Sequence, residues 1–498
     1  MARPAPEGRD PALHEFEASL TGEPSPTTRR LAPWALVWAV TLALTALSSA
    51  QSLDRYRDFR SGWPWDLAYN NQWFWALLDG SQTLSIQPIN AWGNEGPSIW
   101  SRTHLDPIRL AVVPFYATWP GPETLLVANN VILWWVVPSA FGLLLAESGS
   151  ARLALAGAAL VPMTPLLWPM LWNDFREMQL ALPFVLWAIW GYRTRHRGLA
   201  IFGAIGMLAS REEFGVMLAT FALLPPREPE EIGVGYAWAR WSAYVGVAWV
   251  ALVFLGYEHL TVSWNAPELY LGHLGQPKPS AWLTARAAWS LVVIGAGPWA
   301  LLALLAPRVA ILALPWAWGL ASGRWLLPEI GTFRWGSVRY AAPMVAVLVA
   351  AGLIGYANLA RRAAPRRRGW IYPAAAWIVA AAGFALADAD IAARMRRIEW
   401  PISRAEAREA WRWIDQVGPD EAVVAAYEVS APLSTRRVLL SNRLEPSIPK
   451  GYPRLDPRFR WAFLRVDDLP ARTLLDQGFE QVHRGEFLAI YRRSRPGP

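Results

Sequence analysis

The stretch WPWDLAYNNQWFWALLDG (residues 63–80) follows an apolar segment that is long enough to cross a bilayer. An apolar segment followed by such a tryptophan-rich stretch is typical of a membrane protein, and this order decides the fold class. Tryptophan is enriched at the membrane interface, so the stretch is expected to lie at a membrane surface. Asp66 stands among these tryptophans and is followed by Asn70, Asn71 and Gln72. Two interpretations follow. Asp66 either caps a helix and complements its dipole, or it is the working carboxylate of an enzyme.

The composition is that of a membrane protein with several crossings. Hydrophobic residues make up 54% of the 498 residues and charged residues 17%, whereas a soluble chain carries about 25% charged residues. The 32 tryptophans agree with this class. The chain has no cysteine, which excludes disulfides, thiolate metal sites and a cysteine nucleophile.

The net charge of +8 does not indicate a nucleic-acid partner. Basic residues cluster between apolar segments, at 29–30, 193–197 and 361–368, rather than in a stripe among exposed aromatic residues. Such clusters are typical of cytoplasmic loops and of contacts with anionic lipid. We therefore predict membrane lipid as a partner and no nucleic acid.

Apolar segments predict about eleven transmembrane helices. They lie at 31–50, 124–147, 153–172, 178–192, 199–209, 214–224, 236–257, 285–305, 309–321, 340–360 and 370–387. Segment 107–118 is apolar but short and contains Arg109, so it is interpreted as a re-entrant or interfacial helix. With the N-terminus in the cytoplasm, the arginine-rich loops 192–198 and 361–369 both fall inside, as the positive-inside rule requires.

Three parts follow from this count of crossings. Residues 1–30 are expected to form a disordered cytoplasmic tail, and residues 31–390 a transmembrane domain whose large first outer loop is 51–123. Residues 391–498 are expected to form a small extracytoplasmic α/β domain. Its predicted helices are 403–418 and 471–478, and its predicted strands are 421–426, 436–441, 460–465 and 487–493. The fold class is therefore an all-α polytopic membrane protein with this α/β domain attached.

Unusual polar residues fall on the outer side of this predicted topology. Besides Asp66 and Gln72 they are His104, Asp174, Arg176, Arg211, Glu212, Glu213, Arg334 and Arg339. Charged groups at a membrane are costly unless they are paired, so their concentration predicts either a functional site or a lattice of ion pairs. The structural alternative pairs Asp174 with Arg176 and pairs Arg211 with a neighbouring glutamate. It leaves His104 as an interfacial residue and the later arginines as lipid contacts.

The functional alternative is chemistry on a phosphorylated lipid. A carboxylate acts as general base when it lies within hydrogen-bond reach of a hydroxyl. Arginine binds phosphate through two parallel hydrogen bonds and stays charged. A divalent cation held by Asp and Glu oxygens could neutralise a leaving phosphate, but the spacing does not establish such a site.

Several of these residues carry a resemblance to a known family. Four segments are similar, in order and spacing, to the predicted membrane proteins catalogued as domain of unknown function 2079. The segments are DLAYNNQWFWALLDG, THLDPIRLAVVPFYATWPGPETLLVANNVIL, WNDFREMQLALPFVLWAIW and LASREEFGVMLA. The family positions matched are Asp66, Gln72, His104, Pro107, Arg211, Glu212 and Glu213, and a Leu-Ser-x-Arg element matches Leu433, Ser434 and Arg436. The chain departs from the family at Ala68, and at FRE (175–177), which stands in place of Phe-His-Pro. In FRWGSVRYAAP (333–343), arginine replaces an expected histidine.

More distantly, the architecture resembles the C-type (GT-C) glycosyltransferases. That resemblance implies a sugar transfer from a polyprenyl-phosphate donor at the extracytoplasmic face of a bacterial inner membrane. Asp66 would be the catalytic residue, with the other polar residues of the outer side binding substrate. Two non-enzymatic alternatives remain open. One is a transporter of lipid or polysaccharide, and the other is an assembly subunit whose outer domain binds a partner.

Overall fold

The chain folds into a mostly helical body and a five-stranded sheet near its C-terminus. The computed structural model describes residues 26–61, 64–86, 98–99, 105–172, 174–224, 232–253, 255, 298–313, 342–362, 374–375, 377–378, 381–382, 402–441, 455, 457–466 and 474–493. The predicted tail up to residue 25 and most of the predicted span 370–387 lie outside these ranges. Segments 285–297 and 314–321 of two further predicted spans also lie outside them.

The helices follow the chain in this order: α1 Pro26–Arg57, α2 Pro64–Asp79, α3 Val113–Thr118, α4 Pro122–Trp134, α5 Val136–Ser148, α6 Ala151–Ala158, α7 Leu167–Trp172, α8 Glu177–Thr194, α9 Arg197–Ser210, α10 Phe214–Thr220, α11 Ile232–Leu252, α12 Pro298–Ala303, α13 Pro307–Ala310, α14 Ala342–Arg362 and α15 Arg404–Ile414. Short 3-10 helices lie at Pro107–Ala111, Val161–Met163, Phe221–Leu223, Ile311–Ala313 and Tyr427–Val429.

Within the described ranges, three helical segments are long and apolar enough to cross a membrane. They are Leu31–Arg57 in α1, Pro122–Ser148 across α4 and α5, and Ala342–Arg361 in α14, and each coincides with a predicted span. Predicted span 153–172 is instead interrupted between α6 and α7, because Pro162 and Pro165 cannot continue a helix. The total of eleven crossings therefore stays a prediction.

Helices α8 and α9 pack against each other with their backbones in close contact. A Cβ atom on Gly203 would lie 2.3 Å from the Ala188 backbone nitrogen, and one on Gly191 would lie 2.2 Å from the Ala200 nitrogen. Small residues at such crossings let transmembrane helices approach closely and gain van der Waals contact. The two glycines therefore fix the position of α8, which carries Arg176 at its start.

Adding one methyl group at Gly203 is expected to destabilise the protein. The methyl would overlap the α8 backbone, which cannot move as a flexible side chain can, so Gly203→Ala should cost about 1–3 kcal/mol. Thermal unfolding in detergent measures the loss as a lower Tm. The matched control is Gly198→Ala in the same helix, where the nearest atom is a His196 side-chain carbon at 3.5 Å. Equal Tm values for the two variants would contradict the proposed close packing.

The two ends of the helical body carry separate charge clusters. At one end, Glu147 accepts hydrogen bonds of 2.6 and 3.0 Å from the Arg193 guanidinium and lies 3.5 Å from Arg361 Nη2. The other end carries Asp66 and Arg176. Helix α8 has 18 residues and so separates the two ends by about 27 Å, close to the thickness of a bilayer core. Arg193 in the last turn of α8 and Arg361 in the last turn of α14 therefore lie at the same end of the helical body, which agrees with the positive-inside argument.

The C-terminal sheet has the strand order β2-β1-β3-β5-β4. Its strands are β1 Ala422–Ala425, β2 Leu439–Ser441, β3 Phe459–Arg465, β4 Phe479–Arg484 and β5 Leu488–Arg493. Strand β1 runs parallel to β2 and β3, whereas β5 is antiparallel to β3 and β4. The predicted strands are confirmed with shifted ends, but β4 was not predicted. It is an edge strand whose residues after Phe479 face mostly outward, so it lacks the apolar alternation that signals a strand.

Helix α15 connects this domain to the C-terminal end of α1. Ser403 caps the helix by accepting a hydrogen bond of 3.2 Å from the Glu406 backbone nitrogen. The Trp411 ring stacks on Phe59, and its indole nitrogen donates to the Arg57 carbonyl at 2.9 Å. The sheet domain is thus attached to the end of the helical body at which Asp66 lies.

Candidate functional site

Asp66 lies in the first turn of α2, where a carboxylate complements the helix dipole. It is 7% exposed and forms an ion pair with the guanidinium of Arg176. The Arg176 Nε also donates to Asp174 Oδ2 at 2.8 Å. One guanidinium therefore bridges two buried carboxylates, one at the start of α2 and the other in the turn before α8.

The turn that carries Arg176 is held from two sides. Arg176 has an extended backbone and immediately precedes α8, while the fully buried Phe175 anchors the turn in the core. The Asn70 side chain on α2 donates to the Phe175 carbonyl at 3.1 Å, and the Gln179 side chain donates to the Asp174 carbonyl at 3.1 Å. The position of Arg176 relative to α2 is therefore fixed through the backbone as well as through the ion pair.

A second buried cation lies beside the first. Arg109 is 3% exposed, forms an ion pair with Glu177 and places its Nε 3.1 Å from Asp106 Oδ2. The Arg109–Asp106 contact is a close ion pair without the alignment of a hydrogen bond. The guanidinium also stands 5.7 Å from the centre of the Trp73 ring, within cation–π distance. Because Glu177 follows Arg176 in sequence, the two charge clusters adjoin at the start of α8.

The turn between α9 and α10 joins the same end of the molecule. Arg211 Nε lies 2.8 Å from Glu213 Oε2, and Glu212 Oε2 accepts a hydrogen bond of 3.0 Å from the Leu105 backbone nitrogen. Leu105 directly precedes Asp106, so this turn is tied to the segment that carries Arg109. Three regions distant in sequence thus meet at one buried, highly charged site.

Within the described residues, no group of three or more His, Asp or Glu side chains lies close enough to hold a metal ion. The carboxylates of Asp66, Asp174 and Glu177 contact arginines instead. The polar cluster extends to Tyr116, whose hydroxyl lies 2.7 Å from the Asn71 side chain. Burial raises the pKa of the Tyr116 phenol above its ordinary value, so it remains protonated and able to donate.

The family of the chain follows from its sequence. A family model described as "Predicted membrane protein (DUF2079)" matches residues 64–464, which is most of the chain. The chain belongs to this family. No curated protein sequence matches it.

Two solved structures share the fold of this DUF2079 protein. ArnT from Cupriavidus metallidurans bound to undecaprenyl phosphate aligns with a TM-score of 0.55 and 14% identity, covering 94% of this chain and 99% of that chain. ArnT in the apo state aligns with a TM-score of 0.53 and 14% identity, covering 92% and 97%. ArnT is a GT-C glycosyltransferase, so the predicted resemblance to that group is confirmed for the fold.

The contacts in the DUF2079 protein include the ion pairs predicted as the structural alternative. Arg176 pairs with Asp174, and Arg211 pairs with Glu213. The structure adds the long-range pair between Asp66 and Arg176, for which the sequence carried no signal. It also brings Asp106, Arg109 and Glu177 into the cluster. The position of Arg109 within an apolar segment was the one signal for a buried pair. His104, Arg334 and Arg339 lie outside the described residues.

Gln72 lies on the face of α2 that contacts the C-terminal domain. Its Nε2 donates to Ser85 Oγ at 2.8 Å and to the Arg436 carbonyl at 3.3 Å, while its Oε1 accepts from the Ile86 nitrogen at 2.8 Å. Both atoms of the amide are thus hydrogen-bonded to protein groups. The predicted role of Gln72 in substrate binding stays a prediction.

Proposed function

We propose that this protein is an integral membrane glycosyltransferase of the GT-C type that transfers a sugar from a polyprenyl-phosphate donor. The observation that carries the proposal is the buried Asp66 carboxylate beside the Arg176 guanidinium. This pair combines a proton acceptor with a phosphate-binding cation at one end of a membrane protein. The shared fold with ArnT, which was crystallised with undecaprenyl phosphate, supports a lipid phosphate as the partner.

Arg176 links donor binding to the availability of the base. Its guanidinium forms ion pairs with both Asp66 and Asp174. A phosphate group offers arginine two parallel charge-assisted hydrogen bonds, so it competes effectively with a single carboxylate contact. Donor binding would then draw Arg176 toward the phosphate and leave the Asp66 carboxylate free to accept a proton, while Asp174 keeps the arginine oriented.

The proposed reaction balances at these groups. An acceptor hydroxyl oxygen attacks the anomeric carbon of the donor sugar, and its proton passes to the Asp66 carboxylate. The bond between the anomeric carbon and the phosphate oxygen breaks, and the electron pair leaves with polyprenyl phosphate. The added negative charge on that phosphate is stabilised by arginine in a site shielded from water, where such interactions are strongest.

The remaining polar residues are proposed to line the substrate path. Arg211, Glu212 and Glu213 form the turn beside the first-loop segment, where their charges lie next to the arginine clusters. His104 immediately precedes Leu105, which is bonded to this turn. Arg334 and Arg339 are proposed as further contacts to the donor phosphate.

The proposed orientation follows from the two charged ends. The end with Glu147, Arg193 and Arg361 would face the cytoplasm, because arginine-rich loops are retained there. The Asp66 end and the sheet domain would then face the extracytoplasmic side of a bacterial inner membrane, with about eleven crossings between the termini. A polyprenyl chain would remain in the bilayer while its phosphate reaches the site.

The proposal is tested with purified protein, labelled polyprenyl-phosphate sugars and a membrane extract that supplies acceptors, with and without a divalent cation. We expect release of polyprenyl phosphate together with label transfer to an acceptor. Binding of donor without release across the tested sugars would favour a transporter. Absence of both binding and release would favour an assembly subunit.

A further inference from the structure

The Leu-Ser-x-Arg element of the C-terminal domain lies against α2. The Asn71 side-chain amide is hydrogen-bonded to Ser434 Oγ at 2.8 Å and to Thr435 Oγ1 at 2.9 Å. One residue further along α2, Gln72 reaches the backbone carbonyl of Arg436 at 3.3 Å. Asn71 and Gln72 are 0% and 1% exposed, so these polar contacts are shielded from water and their loss leaves buried groups without partners.

The edge of the sheet extends the same contact. Strand β2 is an edge strand, so the backbone N–H and C=O groups on its outer side are not paired within the sheet. Its Leu439 nitrogen donates to Ser85 Oγ at 2.9 Å, and its Ser441 nitrogen donates to the Ile86 carbonyl at 3.3 Å. The Trp65 indole nitrogen, next to Asp66, donates to the Ser441 carbonyl at 3.2 Å. The domain therefore contacts α2 at its first turn and again near its middle.

Arg436 gives this element a fixed shape. Its guanidinium donates to the carbonyls of Leu433, Gly418 and Glu421 at 2.7, 3.0 and 3.0 Å. Burial lowers the pKa of Arg436 to about 10, an effect opposed by the charge of Glu421. The guanidinium is therefore protonated at neutral pH and keeps its three acceptors. The hydroxyls of Ser434 and Thr435 are thus presented to α2 by a rigid turn.

We propose that this turn, residues 433–436, is a docking element through which the C-terminal domain sets the position of α2 and hence of Asp66. Asn71 is the positioning residue on the helix, because it contacts the docking element on one side and Tyr116 on the other. The neighbouring Asn70 connects the same helix to the turn of Arg176. The effect on Asp66 chemistry rests on the proposed function, whereas the docking itself does not.

The double variant Ser434→Ala, Thr435→Val removes both hydroxyls with little change of shape. Hydrogen–deuterium exchange then reports on α2 without any assay of activity. We expect the amides of residues 65–79 to exchange about tenfold faster, since the loss of each buried hydrogen bond raises the exchange rate by a factor of about two to ten. Exchange in β1 and β3 should stay unchanged. Unchanged exchange in α2, or equal acceleration throughout the chain, would overturn the proposal.

Ser403→Ala is the matched control, because it also removes a serine hydroxyl from the C-terminal domain. The Ser403 hydroxyl caps α15 and is hydrogen-bonded to the Glu406 nitrogen, not to α2. Ser403→Ala should leave exchange in α2 unchanged.

If the wild-type protein transfers sugar, the double variant should lower kcat about tenfold with KM unchanged. Thr435→Ser should retain wild-type kcat. A change confined to KM would overturn the positioning role. If the wild type shows no transfer, the proposed function fails but the exchange result still decides the docking.

If the variant Ser434→Ala, Thr435→Val does not fold, crosslinking tests the same contact. The chain has no cysteine, so Asn71→Cys with Thr435→Cys gives a protein whose only thiols are the designed pair. A short bifunctional thiol reagent should crosslink them in the membrane and slow exchange in residues 64–79. Absence of crosslinking in a folded protein would overturn the docking. Asn71→Cys with Ser403→Cys is the control pair expected to remain unlinked.

Discussion

Replacing Asp66 by asparagine is expected to lower kcat for sugar transfer by about 10²–10⁴-fold, the range attributed to loss of a general base. Asparagine has the same shape as aspartate and can still accept a hydrogen bond from Arg176, which also keeps its contact with Asp174. The fold should therefore survive while the proton acceptor is lost. The measurement is transfer by purified variant and wild type at saturating donor, with Tm as the test of folding.

Asp79→Asn is the matched control. Asp79 ends the same helix, is exposed and accepts a hydrogen bond from Ser81 Oγ at 2.7 Å. It makes the same chemical change at the far end of α2 and should leave kcat unchanged. If Asp66→Asn retained wild-type transfer with an unchanged Tm, Asp66 would have no part in catalysis.

Replacing Arg109 by methionine is expected to destabilise the protein by about 3–5 kcal/mol, as found when one partner of a buried ion pair is removed. The substitution leaves the carboxylates of Asp106 and Glu177 buried without this cation. It also removes the guanidinium from the Trp73 ring. Methionine fills much of the same space, so the loss would come from charge rather than from a cavity. Thermal unfolding in detergent is the measurement.

The control for this prediction is Arg412→Met on α15. Arg412 is 75% exposed and pairs with Glu409 at 2.8 Å across one helical turn, a kind of pair that contributes less than about 1 kcal/mol. Its Tm should stay close to that of the wild type. Adding Glu177→Gln to Arg109→Met should recover part of the lost stability, because one unpaired carboxylate becomes neutral. A Tm for Arg109→Met equal to that of Arg412→Met would show that the buried cluster does not stabilise the fold.

Local patterns in the sequence were sufficient to predict the three long apolar helices, helix α15 and four of the five strands. The apolar run at Pro122–Ser148 is long enough to cross a bilayer and therefore predicts a transmembrane helix. The amphipathic pattern of α15, with Ala407, Ala410 and Ile414 on one buried face, likewise predicted its helix and its orientation. The concentration of charges on one face predicted that the regions around Asp66, Asp174 and Arg211 would meet at one end of the molecule.

Long-range pairing could not be predicted from one sequence. Asp66 and Arg176 are 110 residues apart, and Asn71 and Ser434 are 363 residues apart. Spacing along the chain carries no information about such contacts, because they depend on how whole elements pack. The same limit applies to the polar run after Asp66, in which only Gln72 was predicted as a site residue. In the folded protein Asn70 faces the Arg176 turn, whereas Asn71 and Gln72 face the C-terminal domain.

The structure of the protein with bound undecaprenyl phosphate, determined by electron cryo-microscopy, tests the central claim most directly. The account predicts the phosphate within hydrogen-bond distance of the Arg176 guanidinium, and the Asp66 carboxylate released from Arg176 and facing the phosphate-bearing end of the lipid. A phosphate bound elsewhere, with the pair between Asp66 and Arg176 intact, would contradict it.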